Sequence, residues 1–282
     1  MPSARVCAKP AGSTGSNATI EFRWAEGRYE RLPGLATELV QSRVDVIVAL
    51  GNTASVLAAK AATATIPIVF RIASDPLELG LVASMNRPGG NLTGITTMGV
   101  ELGPKQLEIL HEMVPAAKTV AILVNPTNPV VADMHKRTIP QAAHALGMRT
   151  ELVTASEERD FESVFAELRR MQADALLIGV DAFFNSKSER LAGLASRQSL
   201  PTVSAFRGFA AAGGLMSYGG CVVDASHQAG VYVGRILNGE KPADLPVQQA
   251  TRIELVLNLK AAKAIGITVP EFFLFRADEV IE

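Results

Sequence analysis

Five short stretches carry side chains suited to chemistry, and each lies at or just past the end of an apolar run. Gly51-Asn52-Thr53-Ala54-Ser55 comes after residues 44–50, and Ser74-Asp75-Pro76 after residues 66–70. Asn125-Pro126-Thr127-Asn128-Pro129, Asp181-Ala182-Phe183-Phe184 and Ser204-Ala205-Phe206 stand in the same relation to later runs. Gly51 permits a tight turn, and Asn52, Thr53 or Ser55 could cap the helix beyond it. The exposed N–H groups of such a helix start favour a carboxylate or phosphate. Ordinary capping would call for the same residues. Asp75 could accept from an ammonium or from hydroxyls, or could cap a helix opening at Pro76. Asparagine amides both donate and accept, which suits recognition without reaction.

A catalytic set is hard to assemble from these residues. There is no G-x-S-x-G elbow, no G-x-x-x-x-G-K-[ST] loop and no G-x-G-x-x-G after a strand. The histidines at 111, 135, 144 and 227 all fall inside expected helices, and His111, His135 and His144 are assigned to solvated faces. Asp224 and His227, three residues apart, are too few for a metal site. Asp75 and Asp181 could pair as acid and base, yet nothing in the sequence marks either as perturbed. Cys7 and Cys221 match no spaced ligand motif and are taken as unrelated thiols. The expected activity is therefore holding rather than transforming, with no catalytic residue, metal or cofactor.

The chain has 282 residues, with 27 Lys plus Arg against 28 Asp plus Glu, so it lacks the basic footprint of a nucleic-acid binder. One Trp and three Tyr leave little for base stacking. No apolar run reaches the roughly 20 residues of a membrane helix. Residues 1–16 are small, polar and patternless, without the apolar centre of a signal peptide.

These stretches need elements to hold them. Buried-type strands are expected at 19–24, 44–50, 66–70 and 91–96, with helices at 32–43, 53–62 and 76–85. The series then restarts: a helix from Pro104, a strand at 118–126, and a helix at 130–146 with a kink or break at Pro140. A strand at 149–155 precedes a stripe of Phe161, Val164, Phe165, Leu168 and Met171 at helical spacing. Strands at 173–181 and 200–206 flank a helix at 187–198. After a strand around Ser217 come a helix at 222–238 ended by Gly239, a last strand at 251–259, a short helix at 260–265 and a tail. Two successive series of this kind predict two α/β lobes with parallel sheets wrapped on both faces.

The run from Val44 through "ALGNTAS", "IPIVFRIASDP" and "RPGGNLTGIT" resembles the ABC-transporter substrate-binding proteins of the tryptophan- and tyrosine-binding type. "KQLEILHEMVPAAKTVAILVNPTNP", "ADALLIGVDAFF", "GGLMSYG", "GRILNGEKPADLPV" and "RIELVLNLKAAKAIGITVP" extend the likeness to residues 17–282. The resemblance implies a type I periplasmic binding-protein fold: two doubly wound lobes joined by three crossings, near 96–99, 218–220 and 250–252. The first lobe would comprise 1–97 plus 219–249, and the second 98–218 plus 250–282. It further implies an extracytoplasmic protein that closes on a small ligand by a hinge motion and hands it to a membrane permease, binding no ATP itself. Carried over by position, the pocket would use Asn52, Thr53, Ala54, Ser55 and Asp75 from one lobe. The other would supply Asn125, Asn128, Asp181 and Ser204, with Ser217 and Tyr218 at the hinge. An amino acid or a related aromatic or branched carboxylate fits: Thr53 or Ser55 with backbone N–H groups would take its carboxylate, and Asp75 or Asp181 its ammonium. Phe183, Phe184, Phe206 and Tyr218 would be the aromatic members of the pocket loops.

One feature departs from that pattern. The family's leading βα unit and signal peptide have no counterpart ahead of residue 19. A gap is therefore expected between the strands at 19–24 and 44–50, filled by upstream sequence or by another segment, such as one from a second copy in a dimer. A ligand-sensing domain of a receptor or regulator with the same fold is the alternative function; an enzyme on this scaffold is a third.

Overall fold

The computed structural model describes residues 4–6 and 19–282; Cys7 lies outside the described residues. The chain divides into two compact units. One runs to Met98 and takes in Val222–Thr251; the other comprises Gly99–Cys221 and Arg252–Glu282, so the chain passes between them three times.

Unit 1 begins with β1 (Ala4–Val6) and β2 (Glu21–Arg23), followed by α1 (Leu32–Gln41), β3 (Ile47–Leu50), α2 (Thr53–Ala62), β4 (Ile68–Ile72) and β5 (Leu92–Thr96). Unit 2 continues with α3 (Gly103–Met113), β6 (Thr119–Val124), α4 (Pro129–Ala145), β7 (Arg149–Thr154), α5 (Asp160–Arg170), β8 (Ala175–Ile178), α6 (Ala182–Ser186), α7 (Ser188–Arg197), β9 (Thr202–Ser204), α8 (Arg207–Ala211) and β10 (Met216–Gly220). The chain returns to unit 1 for α9 (Val222–Leu237) and β11 (Gln248–Gln249), then closes unit 2 with β12 (Ile253–Asn258), α10 (Leu259–Ala264), α11 (Glu271–Arg276) and β13 (Glu279–Ile281).

The unit 1 sheet is parallel, in the order β11-β5-β4-β3. Alternation along β4 sends Ile68, Phe70 and Ile72 into one cluster with Leu39, Val56 and Ala59 of α1 and α2. It sends Val69 to the opposite face, with Ala225, Ala229 and Tyr232 of α9. The unit 2 sheet has seven strands, β13-β12-β10-β9-β8-β6-β7. Its one antiparallel pairing is β10 with β12, a departure from the all-parallel lobe expected. Its core fills both faces, one side centred on Leu107, Leu110 and Ile139, the other on Phe161, Phe165 and Leu191. The α5 stripe is buried as its spacing implies.

Several expectations are corrected. No helix forms over 76–85: the Asp75 side chain accepts from the Leu77 N–H at 2.7 Å and Gly80 turns left-handed at φ +59°, so the chain makes a single turn. Leu81 and Val82 then enter the core. The helix across Pro140 is unbroken, because the Lys136 carbonyl that loses its partner lies on an exposed stretch where water can serve it. The tail contains α11 and β13, the latter parallel to β12. Ala4–Val6, read as patternless, pairs antiparallel with β2 and lies alongside β3, at the place where a strand was expected to be missing. Among the described residues no helix is long and apolar enough to cross a membrane.

Candidate functional site

In a parallel sheet, the loops at the carboxyl ends of the strands share one edge, and ligands meet open α/β sheets there. Each unit places its candidate residues along such an edge.

In unit 1, β3 ends at Leu50 and Gly51 turns the chain at φ +131°. Asn52, extended, caps α2, its Oδ1 accepting from the Ser55 N–H at 2.6 Å while the Ser55 hydroxyl donates back to the Asn52 carbonyl at 2.8 Å. Thr53, Ala54 and Ser55 are thus the first three helical residues, whose N–H groups have no carbonyl partner within the helix. On the neighbouring loop, the Ser74 hydroxyl lies 3.1 Å from that of Thr53. Ser74 is itself held by the Thr96 hydroxyl, which donates to its carbonyl at 2.9 Å. Asp75 follows, bound to the Leu77 N–H. The Asn52 cap takes only the Ser55 N–H, so capping leaves the Thr53 and Ala54 N–H groups uncommitted to it.

Unit 2 is more interlocked. Leu123, Ile178, Ser204 and Ser217 form one row across β6, β8, β9 and β10. Asn125 and Asp181 lie two and three residues beyond the first two. The Asp181 carboxylate accepts from the Asn125 amide at 3.1 Å, the Asn128 amide at 2.9 Å and the Phe183 N–H at 2.9 Å, capping α6 in the process. The Asn125 oxygen accepts in turn from the backbone and hydroxyl of Thr127, at 3.0 and 2.7 Å. All of Asn125, Asn128 and Asp181 are buried. Ser204 accepts a long bond from the Phe206 N–H at 3.4 Å, and the Tyr218 carbonyl receives the Gln106 amide at 2.8 Å.

His135 supports this cluster from beneath. It is buried, correcting its assignment to a solvated face, and its Nε2 accepts from the Val180 N–H at 3.0 Å, beside Asp181. That bond places the ring proton on Nδ1, which has no partner; the crevice lined by His135, Asn125, Asn128 and Asp181 has no space for a water. Burial pushes the imidazole pKa down to about 4. A β-carbon on Gly179 would come 2.8 Å from the Leu123 carbonyl, so only glycine lets this loop lie so close. His111 is half-buried, while His144 and His227 are exposed.

Phe183 and Phe184 are not free for a ligand: Phe183 stacks on Phe161 with centroids 5.5 Å apart, and Phe184 packs tilted against it at 6.3 Å, in the core. Residue types and strand-end positions could not identify His135 or Arg71 of β4 as members of these edges, whereas the strand-end position marks Ser74. For His135 a signal existed, since Val131, His135, Ile139 and Ala143 form the buried stripe of α4. Among the described residues no group of three metal-ligating side chains occurs.

A family model described as ABC transporter substrate binding protein matches residues 10–281. A tyrosine-binding protein of Clostridioides difficile is 25% identical over 254 residues, covering 90% of this chain and 72% of that protein. The crystal structure of a conserved domain protein from Vibrio cholerae is 28% identical, with TM-score 0.83 over 94% of this chain and 88% of that one. A Streptococcus ABC domain in complex with L-Trp has TM-score 0.80 at 24% identity, over 91% and 88% of the two chains, and shows the shared fold.

Proposed function

The chain belongs to the ABC transporter substrate binding protein family, and from that premise we propose that it captures a small amino acid outside the cytoplasm for delivery to a membrane permease. The observation that carries the ligand class is the start of α2. Helical N–H groups at Thr53 and Ala54, the positive end of the helix dipole and the Thr53–Ser74 hydroxyl pair together offer donors without a competing negative charge on the helix's first turn. That combination suits a carboxylate. The similarity to a tyrosine-binding protein directs the choice towards aromatic amino acids.

In this reading Asn52 and Ser55 shape the helix start, while Thr53 and Ala54 hold the carboxylate and Asp75 receives the ammonium. Asn125, Asn128, Ser204, Ser217 and Tyr218 supply the polar edge of unit 2. Asp181 serves as the fixed point that aims the two asparagine amides. The ligand leaves unchanged, since neither edge pairs a nucleophile with a base.

Mass spectrometry of solute released by denaturing the purified protein, followed by calorimetry across amino acids, aromatic acids and nucleosides, tests the reading. One L-amino acid bound in a 1:1 ratio and recovered intact is expected. Absence of binding to every amino acid and aromatic acid, or turnover of the bound solute, would overturn it.

A further inference from the structure

Unit 1 holds a donor that its own fold leaves unanswered. Arg71 is the penultimate residue of β4, level with Leu50 at the end of β3 and with Ile95 of β5. Its side chain leaves the sheet on the same face as Val69, among Val48, Leu50 and Ile95, all aliphatic. The backbone carbonyl is used, accepting from the Gly51 N–H at 3.3 Å. Of the guanidinium, the Nε is sealed from solvent without a hydrogen-bond partner, while the residue as a whole is half-buried. Desolvation lowers its pKa to about 10, which still leaves a cation at neutral pH.

An aliphatic side chain would suit this position better for folding alone, since a desolvated donor without a partner opposes folding. Position explains the arginine better than stability does. From Arg71 to Ala73 and Ser74 is two and three residues, about 7 and 10 Å of extended chain. A side chain as long as arginine spans most of that distance towards the edge where the Gly51–Asn52 turn and Ser74 lie, from the α9 face of the sheet, opposite the face that α2 covers. Guanidinium and carboxylate match as a two-pronged, charge-assisted pair.

We propose that Arg71 is a specificity-determining residue that selects an anionic solute, its guanidinium pairing with the solute's acid group at the carboxyl edge of the unit 1 sheet. This rests on the reading of the chain as a carboxylate binder and names the residue that supplies the charge. The α2 start contributes donors and Arg71 the countercharge, so carboxylate-free analogues should be rejected.

The test is calorimetry on the full chain and on Arg71→Met and Arg71→Lys, with L-tyrosine, L-tryptophan, tyramine and tryptamine as probes, alongside melting of the unliganded proteins. Arg71→Met should weaken the two acids at least 30-fold, Arg71→Lys should recover part of that, and the amines should bind poorly to all three. Unliganded Arg71→Met should melt higher than the parent, because a desolvated and unpaired Nε has gone; a merely structural arginine would give a lower midpoint. Arg71→Met binding the acids within threefold of the parent, or melting lower while losing acids and amines alike, would overturn the proposal. If the parent binds none of the four probes, the aromatic amino-acid reading fails by itself. Arg71 is then judged by the solute released from the purified protein and by melting in added acetate and phosphate. An acid retained by the parent but lost from Arg71→Met, or an anion-induced stabilisation present only in the parent, supports the pairing; neither effect appearing overturns it.

Discussion

The two strand-end edges of this protein are built on opposite principles. In unit 1 the first N–H groups of α2 have no carbonyl partner within the helix and the Arg71 Nε has no hydrogen-bond partner, while the Ser55 N–H, bonded to Asn52, is the only helix-start donor that the cap takes. In unit 2 the Asp181 carboxylate, one of the two that the sequence offered for an ammonium, is committed to Asn125, Asn128 and Phe183. An unsatisfied group opposes folding, whereas a satisfied network gives rigidity. Substitutions in unit 2 should therefore be felt first in stability, and those in unit 1 first in affinity.

The largest effect is expected at Asp181. Replacing it with Ala strands two buried amides and removes the cap of α6, which should cost about 4 kcal/mol, given roughly 1.5–3 kcal/mol for a hydrogen bond to a charged group and about 1 for a cap. Asp181→Asn keeps the shape and part of the acceptor capacity and should cost less than half as much. Denaturant unfolding followed by probes in each unit would read this. A loss below about 1 kcal/mol for Asp181→Ala would break the view of Asp181 as the fixed point of its edge.

Next in size is acid sensitivity from His135. Its folded pKa of about 4 lies below the usual 6.5, so between those values the unfolded chain binds the proton and the folded one does not. The contribution is fully present above pH 6.5 and is lost as pH falls towards 4, by about 3 kcal/mol in total at 1.36 kcal/mol per pH unit. His135→Gln, which can still accept from Val180, should flatten that part of the stability–pH curve. An unchanged slope would mean that the bond between His135 and Val180 does not govern the acid response of unit 2.

How much of this was legible in the sequence follows from the kind of signal each feature carries. The order of strands and helices was written in alternating apolar runs and one-sided stripes such as Phe161 to Leu168, because burial dictates residue type directly. The helix wrongly expected over 76–85 had apolar spacing but also Gly80 and an Asp-Pro start, and turn chemistry prevailed over periodicity. The short strand Ala4–Val6 has three residues of mixed character, too few for any period to show. At the edges, residue type marked Asn52, Thr53, Asn125 and Asp181, but not what their atoms would bond to. The commitment of Asp181 depends on chains that meet only in the folded sheet. Arg71 stood inside "IVFRI", where a single cation in a strand reads as a solvent-facing position rather than an unpartnered donor.

A smaller loss is expected from Asn52→Ala, about 1 kcal/mol of thermal stability in unit 1, since the Ser55 N–H loses its acceptor. Asn52→Asp should retain the cap while placing a negative charge beside the helix start. If the edge takes a carboxylate, the aspartate variant should be as stable as the parent and bind the retained acid at least tenfold more weakly. Equal binding by both proteins would remove the carboxylate from this helix start.

The smallest expected change in stability is also the sharpest test of the contrast. Thr53→Val preserves the shape of the side chain and deletes one hydroxyl. In the unliganded protein it forfeits only the bond to Ser74, worth about 1 kcal/mol, and the Ser74 hydroxyl can turn to another acceptor. With solute bound, the same deletion leaves the carboxylate short of a donor where water is excluded, so affinity should fall roughly tenfold while the melting point moves by a degree or two. Thr127→Val in unit 2 removes a hydroxyl with a comparable bond, 2.7 Å to Asn125, yet the backbone N–H of the same residue continues to hold that oxygen. Its affinity should stay within about twofold of the parent. If the two valines behaved alike in calorimetry, the distinction between a poised edge and a committed one would not hold, whatever their effects on melting.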